Sequence, residues 1–82
     1  MKPTTVTQQQ MIADFYKEYQ VKLVNFAVAR LGNWQEAEDL VQDVFVKLMT
    51  YDGIINKTTI RSFVFTITNH EVMNILRRRA CR

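Results

Sequence analysis

The sequence predicts an all-α protein, a compact bundle of three to four helices in a single domain. Apolar residues recur at three- and four-residue intervals along three stretches of the chain, which is the period of an amphipathic helix. Only two glycines and one proline occur in 82 residues, so few positions interrupt those stretches. The predicted domain covers residues 8–80, with tails at 1–7 and 81–82.

The first predicted helix runs from about residue 8 to 31. Thr7 is its predicted N-cap, with Gln10 completing a capping box. One face carries Met11, Ile12, Phe15, Tyr19, Leu23 and Phe26. A second apolar face begins at Val21 and continues through Val24, Val28 and Leu31, so the later half is expected to lie between two neighbours. Gly32 ends the helix because glycine accepts the left-handed conformation there.

The second predicted helix spans about residues 34–50. Asn33 and Glu36 form a predicted capping box at its start. Trp34 is expected to pack over the corner between the first two helices. The predicted buried face consists of Ala37, Leu40, Val41, Val44, Phe45 and Leu48.

A loop over residues 51–58 is predicted next, because an Asp-Gly pair near its start favours a turn. The loop carries Ile54 and Ile55, whose burial the sequence leaves open. A third helix is predicted from residues 58–59 to about residue 79. Its first half is rich in β-branched residues, which also suit a strand. Apolar residues continue beyond that half without a turn signal, so we predict a helix.

Charge is divided unevenly along the chain. Eleven basic and eight acidic residues give a net charge of +3. Residues 1–58 carry a net charge of −1, whereas residues 59–82 carry +4 from five arginines and one glutamate. Arginine pairs with phosphate through two parallel hydrogen bonds, so the C-terminal quarter is predicted to bind a polyanion. A solvated helix end whose cations complement the helix dipole is the alternative.

One candidate binding surface lies on the second helix, opposite its buried face. It consists of Asp39, Gln42, Asp43 and Val46, at the i, i+3, i+4, i+7 spacing of a helical stripe. An apolar residue with a polar rim suits docking onto a basic partner helix. A plain solvated face is the alternative.

A second candidate surface follows the third helix, within about 80° of arc. Its members are Thr66, His70, Asn74 and Arg77, flanked by Arg78. Asparagine pairs with base edges, arginine with phosphate or guanine, and histidine stacks on unpaired bases. Lys57 and Arg61 are predicted to extend this basic track. The shared line of these residues with the arginine cluster makes nucleic-acid binding one interpretation, and a solvated polar face is the alternative.

Enzymatic chemistry finds little support. The chain has one histidine, one cysteine, no glycine-rich phosphate loop and no nucleophile with an accompanying base. We therefore expect no catalytic residue, no metal and no cofactor. No apolar run approaches the roughly 18 residues that span a bilayer. The N-terminus has no apolar block typical of a signal peptide. We expect a cytoplasmic protein without a membrane partner.

Two segments, in order and suitably separated, resemble a known family. The run from Ala37 to Phe45 resembles the helix with which bacterial sigma factors of the extracytoplasmic-function group grip RNA polymerase. Residues 61–65, Ile67 and the run from Asn74 to Arg78 resemble the promoter-binding helix that follows in that group. The resemblance covers roughly residues 11–80 and implies the region-two domain of such a sigma factor.

The resemblance implies two macromolecular partners. Asp39, Gln42 and Asp43 match positions that contact the clamp coiled coil of the largest subunit of core RNA polymerase. Leu40 and Val46 complete the predicted polymerase-binding set. An anti-sigma protein is a further candidate partner.

The second implied partner is promoter DNA, chiefly the non-template single strand of the minus-ten element. The predicted contacts are Lys57, Arg61, Thr66, His70, Asn74, Arg77 and Arg78. His70 and Asn74 match positions that commonly carry asparagine, a preference from which His70 departs. The loop at residues 51–58 matches one that receives a flipped-out base. The whole domain would direct transcription initiation by binding polymerase and the melted promoter.

Two alternatives remain open. A protein-interaction module would bind polymerase or a regulator without reading DNA. A small helix-turn-helix protein would bind duplex DNA in the major groove. The second alternative is disfavoured because no short recognition helix follows a tight turn, and the third helix is apolar where a groove reader would be polar.

Overall fold

The computed structural model describes residues 3–81, with side chains from residue 8 onward. It contains α1 (Pro3–Leu31), α2 (Trp34–Met49) and α3 (Ile60–Ala80). The described residues hold no strand, so the predicted all-α class is confirmed and the β-branched half of α3 is helical. Residues 1–2 and 82 of the predicted tails lie outside the described residues.

The start of α1 differs from the prediction, whereas its end agrees with it. The helix begins at Pro3, five residues early, so Thr7 lies within the helix and is not its N-cap. The Thr7 side chain lies outside the described residues. Proline suits a first helical position because its missing N–H is not needed there. At the other end Gly32 has φ 73°, and its N–H donates to the Val28 carbonyl at 2.8 Å, which closes the helix.

The start of α2 forms only half of the predicted capping box. The Asn33 side chain accepts a hydrogen bond from the Glu36 N–H at 2.9 Å. The Glu36 carboxylate pairs with Arg79 of α3 rather than with the Asn33 N–H. The prediction for Trp34 was wrong, because this side chain is 54% exposed. Leu31 and Ala37 are the buried residues beside that corner, so no large side chain is needed to cover it.

The core lies where the three helices meet, and α1 contacts both α2 and α3. It contains Ile12, Phe15, Leu23, Val24, Ala27, Leu31, Ala37, Leu40, Val41, Val44, Leu48, Ile55, Ile60, Val64 and Val72. Thr68 is fully buried, and its hydroxyl donates to the Val64 carbonyl at 2.8 Å, so this buried polar group is satisfied. Val21 is 65% exposed, which removes it from the predicted second apolar face of α1.

The described body measures 50 × 22 × 19 Å, and its long dimension accommodates the 29 residues of α1. Edge-on aromatic contacts join α1 to α3, where Phe65 lies 6.5 Å from Tyr19 and 5.7 Å from Phe26 between ring centroids. Between residues 3 and 81, none of the helices combines the length and apolar character of a membrane span.

Candidate functional site

The solvent-exposed side of α2 carries one of the two predicted surfaces. We call Asp39, Gln42, Asp43 and Val46 the acidic face of α2; all four are exposed, and Val46 is 57% exposed. Leu40 belongs to the opposite side of the helix and is 5% exposed. Its inclusion among the polymerase contacts was therefore wrong, since a docked partner cannot reach a side chain packed in the core.

The charge of the acidic face is not offset by its own helix. Lys47 is the one cation of α2, and its Nζ lies 2.5 Å from the Glu71 carboxylate of α3. Glu36, at the start of α2, pairs with Arg79. Within the described residues, neither Asp39 nor Asp43 joins an ion pair. The two carboxylates are thus free to meet a cationic partner.

The second predicted surface is the exposed side of α3. We call Thr66, His70, Asn74 and Arg77 the polar stripe of α3; all four are exposed, on the side opposite buried residues Val64, Thr68 and Val72. An Arg77 guanidinium nitrogen donates to Asn74 Oδ1 at 3.3 Å, so the amide and the cation lie together. Hydrogen-bonding groups and positive charge are therefore presented on one side of the helix.

Two neighbours of the polar stripe escaped the sequence prediction. Asn69 and Met73 are exposed along one edge of it, and Met73 is 46% exposed. The same rotation of 100° per residue that placed His70 and Asn74 on one side also places these two residues beside them. An amide and a polarizable apolar group thereby add contacts that suit a base edge and a base face.

The three arginines in the last turn of α3, Arg77, Arg78 and Arg79, divide into two kinds. Arg77 and Arg78 are exposed. Arg79 donates to the Leu31 carbonyl at the end of α1 at 3.0 Å and pairs with Glu36 at the start of α2. A cation at a helix C-terminus is also favoured by the helix dipole. Arg79 therefore holds the helix ends together, and Arg77 and Arg78 remain for an external anion.

Lys57 and Arg61 do not continue the polar stripe of α3, so the predicted single basic track was wrong. Arg61 and His70 are nine residues, or two and a half turns, apart and therefore lie on opposite sides of α3. The Arg61 guanidinium lies 5.9 Å from the Tyr19 ring centroid. Lys57 and Arg61 line a groove of about 760 Å³ whose α1 wall carries Asp14 and Glu18. The negative charge of these carboxylates would repel the phosphate backbone of a nucleic acid from that groove.

The loop between α2 and α3 resolves the question of the two isoleucines. Ile55 is 6% exposed and belongs to the core, whereas Ile54 is 85% exposed. The Gln8 side chain holds the loop by a hydrogen bond to Gly53 and another to Ile55. Sequence reasoning missed Gln8, because no local pattern joins residues 45 and 47 positions apart.

The comparisons with known proteins agree with the fold. The family model described as sigma-70 region 2 matches residues 15–81. The chain is similar to the RNA polymerase sigma factor YlaC of Bacillus subtilis (strain 168), with 33% identity over 70 residues, covering 82% of this chain and 39% of that protein. The chain thus spans about two-fifths of the length of this curated relative. No solved structure matches it significantly. The match over residues 15–81 includes both helices that carry the candidate surfaces, and the chain belongs to the sigma-70 region 2 family.

Proposed function

We propose that this chain links core RNA polymerase to the opened minus-ten element of a promoter, as the region-two domain of an extracytoplasmic-function-type sigma factor. The observation that carries the proposal is the separation of charge on one small body. The acidic face of α2 and the polar stripe of α3 are both exposed, and they occupy different helices. Such an arrangement suits simultaneous binding of a cationic protein surface and a nucleic acid.

The polymerase side of the proposal rests on α2. Asp39 and Asp43 precede the exposed Val46 on the same side of the helix, which gives an apolar side chain with two carboxylates at one edge. The proposed partner is the clamp coiled coil of the largest polymerase subunit. Charges at such an edge act chiefly on the rate and specificity of association.

The DNA side of the proposal rests on α3. The polar stripe offers an amide, an imidazole and a guanidinium to bases and phosphates of the non-template strand. The domain would promote melting by binding the separated strand better than the duplex, which shifts the opening equilibrium. No bond is made or broken, so the domain would act by binding and not as an enzyme.

A complex of this kind would determine the cellular compartment in which the chain acts. Polymerase and promoter place it in the cytoplasm, and an anti-sigma protein that covers the acidic face of α2 would block the same step. These partners follow from the proposed function and are tested with it.

One experiment tests both sides of the proposal. Core RNA polymerase is incubated with the tagged chain, and retained polymerase is measured together with binding of a labelled non-template strand over a range of salt concentrations. We expect co-purification of polymerase, and strand affinity that falls as salt rises. Polymerase binding with no strand preference over a scrambled sequence would favour a protein-interaction module that does not read DNA. Failure to retain polymerase would reject the proposal.

A further inference from the structure

The groove between α1 and the beginning of α3 has walls of opposite charge. Asp14 and Glu18 lie on its α1 wall, and Lys57 and Arg61 lie on the wall formed by the start of α3. The members of each pair are four positions apart in the sequence. On α1 this spacing places two like charges on neighbouring turns, where they repel each other. A cation brought by a partner would relieve that repulsion.

The two charged walls do not neutralise each other. Both of the ion pairs formed by the described side chains lie elsewhere, so among those residues none crosses the groove. Asp14 accepts a hydrogen bond from Gln10 of its own helix at 3.0 Å. The Arg61 guanidinium lies 5.9 Å from the Tyr19 ring centroid, which holds this cation on its wall. Each wall therefore retains charge for an occupant, which would turn cations toward α1 and carboxylates toward α3.

The floor of the groove is apolar and already in place. Phe15 and Ile60 are buried there, and Met11 and Tyr19 are half-buried. The Tyr19 ring stacks on Phe15 at 4.5 Å between centroids and meets the edge of Phe65 at 6.5 Å. Tyrosine is enriched among the residues that dominate binding energy, and a ring already held in place loses little freedom on binding. The groove thus combines a rigid apolar floor with two charged rims.

The chemistry of the walls restricts the occupant. The α1 carboxylates repel nucleic acid, so the occupant is protein. The helices α1 and α3 offer no sheet edge with which an extended peptide could pair. A helix satisfies its own backbone hydrogen bonds and brings only side chains to a groove.

We infer that this groove is a docking site for an amphipathic helix of a second protein, whose apolar stripe lies between a flank of cations and a flank of carboxylates. The cations meet Asp14 and Glu18, and the carboxylates meet Lys57 and Arg61. None of the described lining residues belongs to α2 or to the polar stripe of α3. The inference therefore goes beyond the proposed function and does not depend on it.

The test selects peptides from a displayed library against the full chain. Each peptide has about 18 residues, enough for a helix, with a fixed apolar stripe and with lysine or glutamate placed at random on both flanks. We expect enrichment of peptides with lysine on one flank and glutamate on the other. Asp14→Lys with Glu18→Lys makes both walls basic and should enrich glutamate on both flanks. Glu38→Lys with Asp52→Lys makes the same change of net charge at exposed positions outside the groove, and should enrich the wild-type set.

Affinities then separate complementarity from general attraction. The enriched peptide is synthesised with a fluorescent label, beside two relatives that carry only lysine or only glutamate on both flanks. The wild-type chain should bind the mixed peptide about tenfold more tightly than either relative. Attraction to the overall charge of +3 would instead rank the all-glutamate peptide first, and that order would overturn the inference.

A second variant keeps the test independent of the α1 substitutions. Lys57→Glu with Arg61→Glu makes both walls acidic and should enrich lysine on both flanks. Circular dichroism checks the helical content of each variant. No enrichment by the wild-type chain, or the same enriched set for all variants, would overturn the inference. Sedimentation of the chain alone tests the remaining occupant: self-association that Asp14→Lys with Glu18→Lys abolishes would assign the groove to a second copy, and the inference would fail.

Discussion

Arg79 pairs with Glu36, which joins the last turn of α3 to the first turn of α2. The same guanidinium donates to the Leu31 carbonyl, so one side chain connects the ends of all three helices. Arg77 and Arg78, which directly precede Arg79, form no ion pair with another helix in the described residues. An arginine run that looks uniform in sequence therefore contains both structural and solvent-facing members.

Replacement of Arg79 by alanine should lower the free energy of unfolding, with a smaller effect on the affinity for DNA. The pair is nearly half exposed, so its loss together with that of the carbonyl hydrogen bond should cost about 1 kcal/mol of the free energy of unfolding. Urea denaturation measures this cost. Arg78→Ala is the matched control and should change the unfolding midpoint little. Equal stability of both variants would show that the Arg79 contacts contribute nothing.

Replacement of Arg77 and Arg78 together by alanine should lower affinity for a single strand and reduce its salt dependence. Each phosphate neutralised on a single strand contributes about 0.7 to the slope of log K against log salt, so the slope should fall by about 1.4. Binding is measured by fluorescence anisotropy at several salt concentrations. Arg30→Ala removes an exposed cation whose guanidinium lies over Phe26 of α1 and serves as the control. A wild-type slope in the double variant would place those two arginines away from the strand.

Gln42→Ala combined with Asp43→Lys should weaken polymerase binding by about tenfold or more while leaving the fold intact. Both residues are exposed on the acidic face of α2, and reversal of one charge opposes a cationic partner. Pull-down of core polymerase gives the effect, and circular dichroism gives the helical content. Glu18→Lys makes the same charge change on α1 and should leave polymerase retention unchanged. Undiminished retention by the α2 variant would reject this face as the contact.

Gly32→Ala should cost about 1 kcal/mol of stability for a purely conformational reason. Gly32 has φ 73°, and a Cβ there would meet nothing within 4 Å, so backbone strain is the cost and a clash is not. Gly32→Asn should lose less, because asparagine tolerates the left-handed conformation better. Thermal unfolding of the three proteins ranks them. Equal losses for alanine and asparagine would contradict the strain explanation.

Local signals predicted the helices well where a short-range rule determines the structure. Gly32 and Asn33 mark the α1–α2 junction because a positive φ and a capping oxygen are properties of single residues. The start of α1 was missed because Thr7 has a side chain that also suits an N-cap, and no local rule prevents the helix from extending to Pro3. Boundaries of this kind depend on context beyond the first turn.

The sequence predicted which residues of one helix share a side, because that depends only on the rotation per residue, but it did not predict features that depend on packing between helices. Rotation placed His70 and Asn74 beside Arg77, and Asp39 away from the core. It did not reveal the groove that receives Arg61, since that depends on how α1 packs against α3. Nor did it show that Ile55 is buried and Ile54 exposed, or that the Ile55 N–H donates to Gln8, which is distant in sequence. Contacts between distant parts of the chain therefore determine these features, which the periodic pattern of apolar residues does not predict.

The packing of α1 against both other helices has a mechanical consequence. If α2 binds polymerase and α3 binds the opened strand, α1 fixes the distance and orientation between these two binding surfaces, and so between the polymerase and the DNA. A substitution that leaves a cavity in the packing of α1, such as Leu23→Ala, would then make the transcription start position less precise, even where the affinity of each surface for its own partner was unchanged.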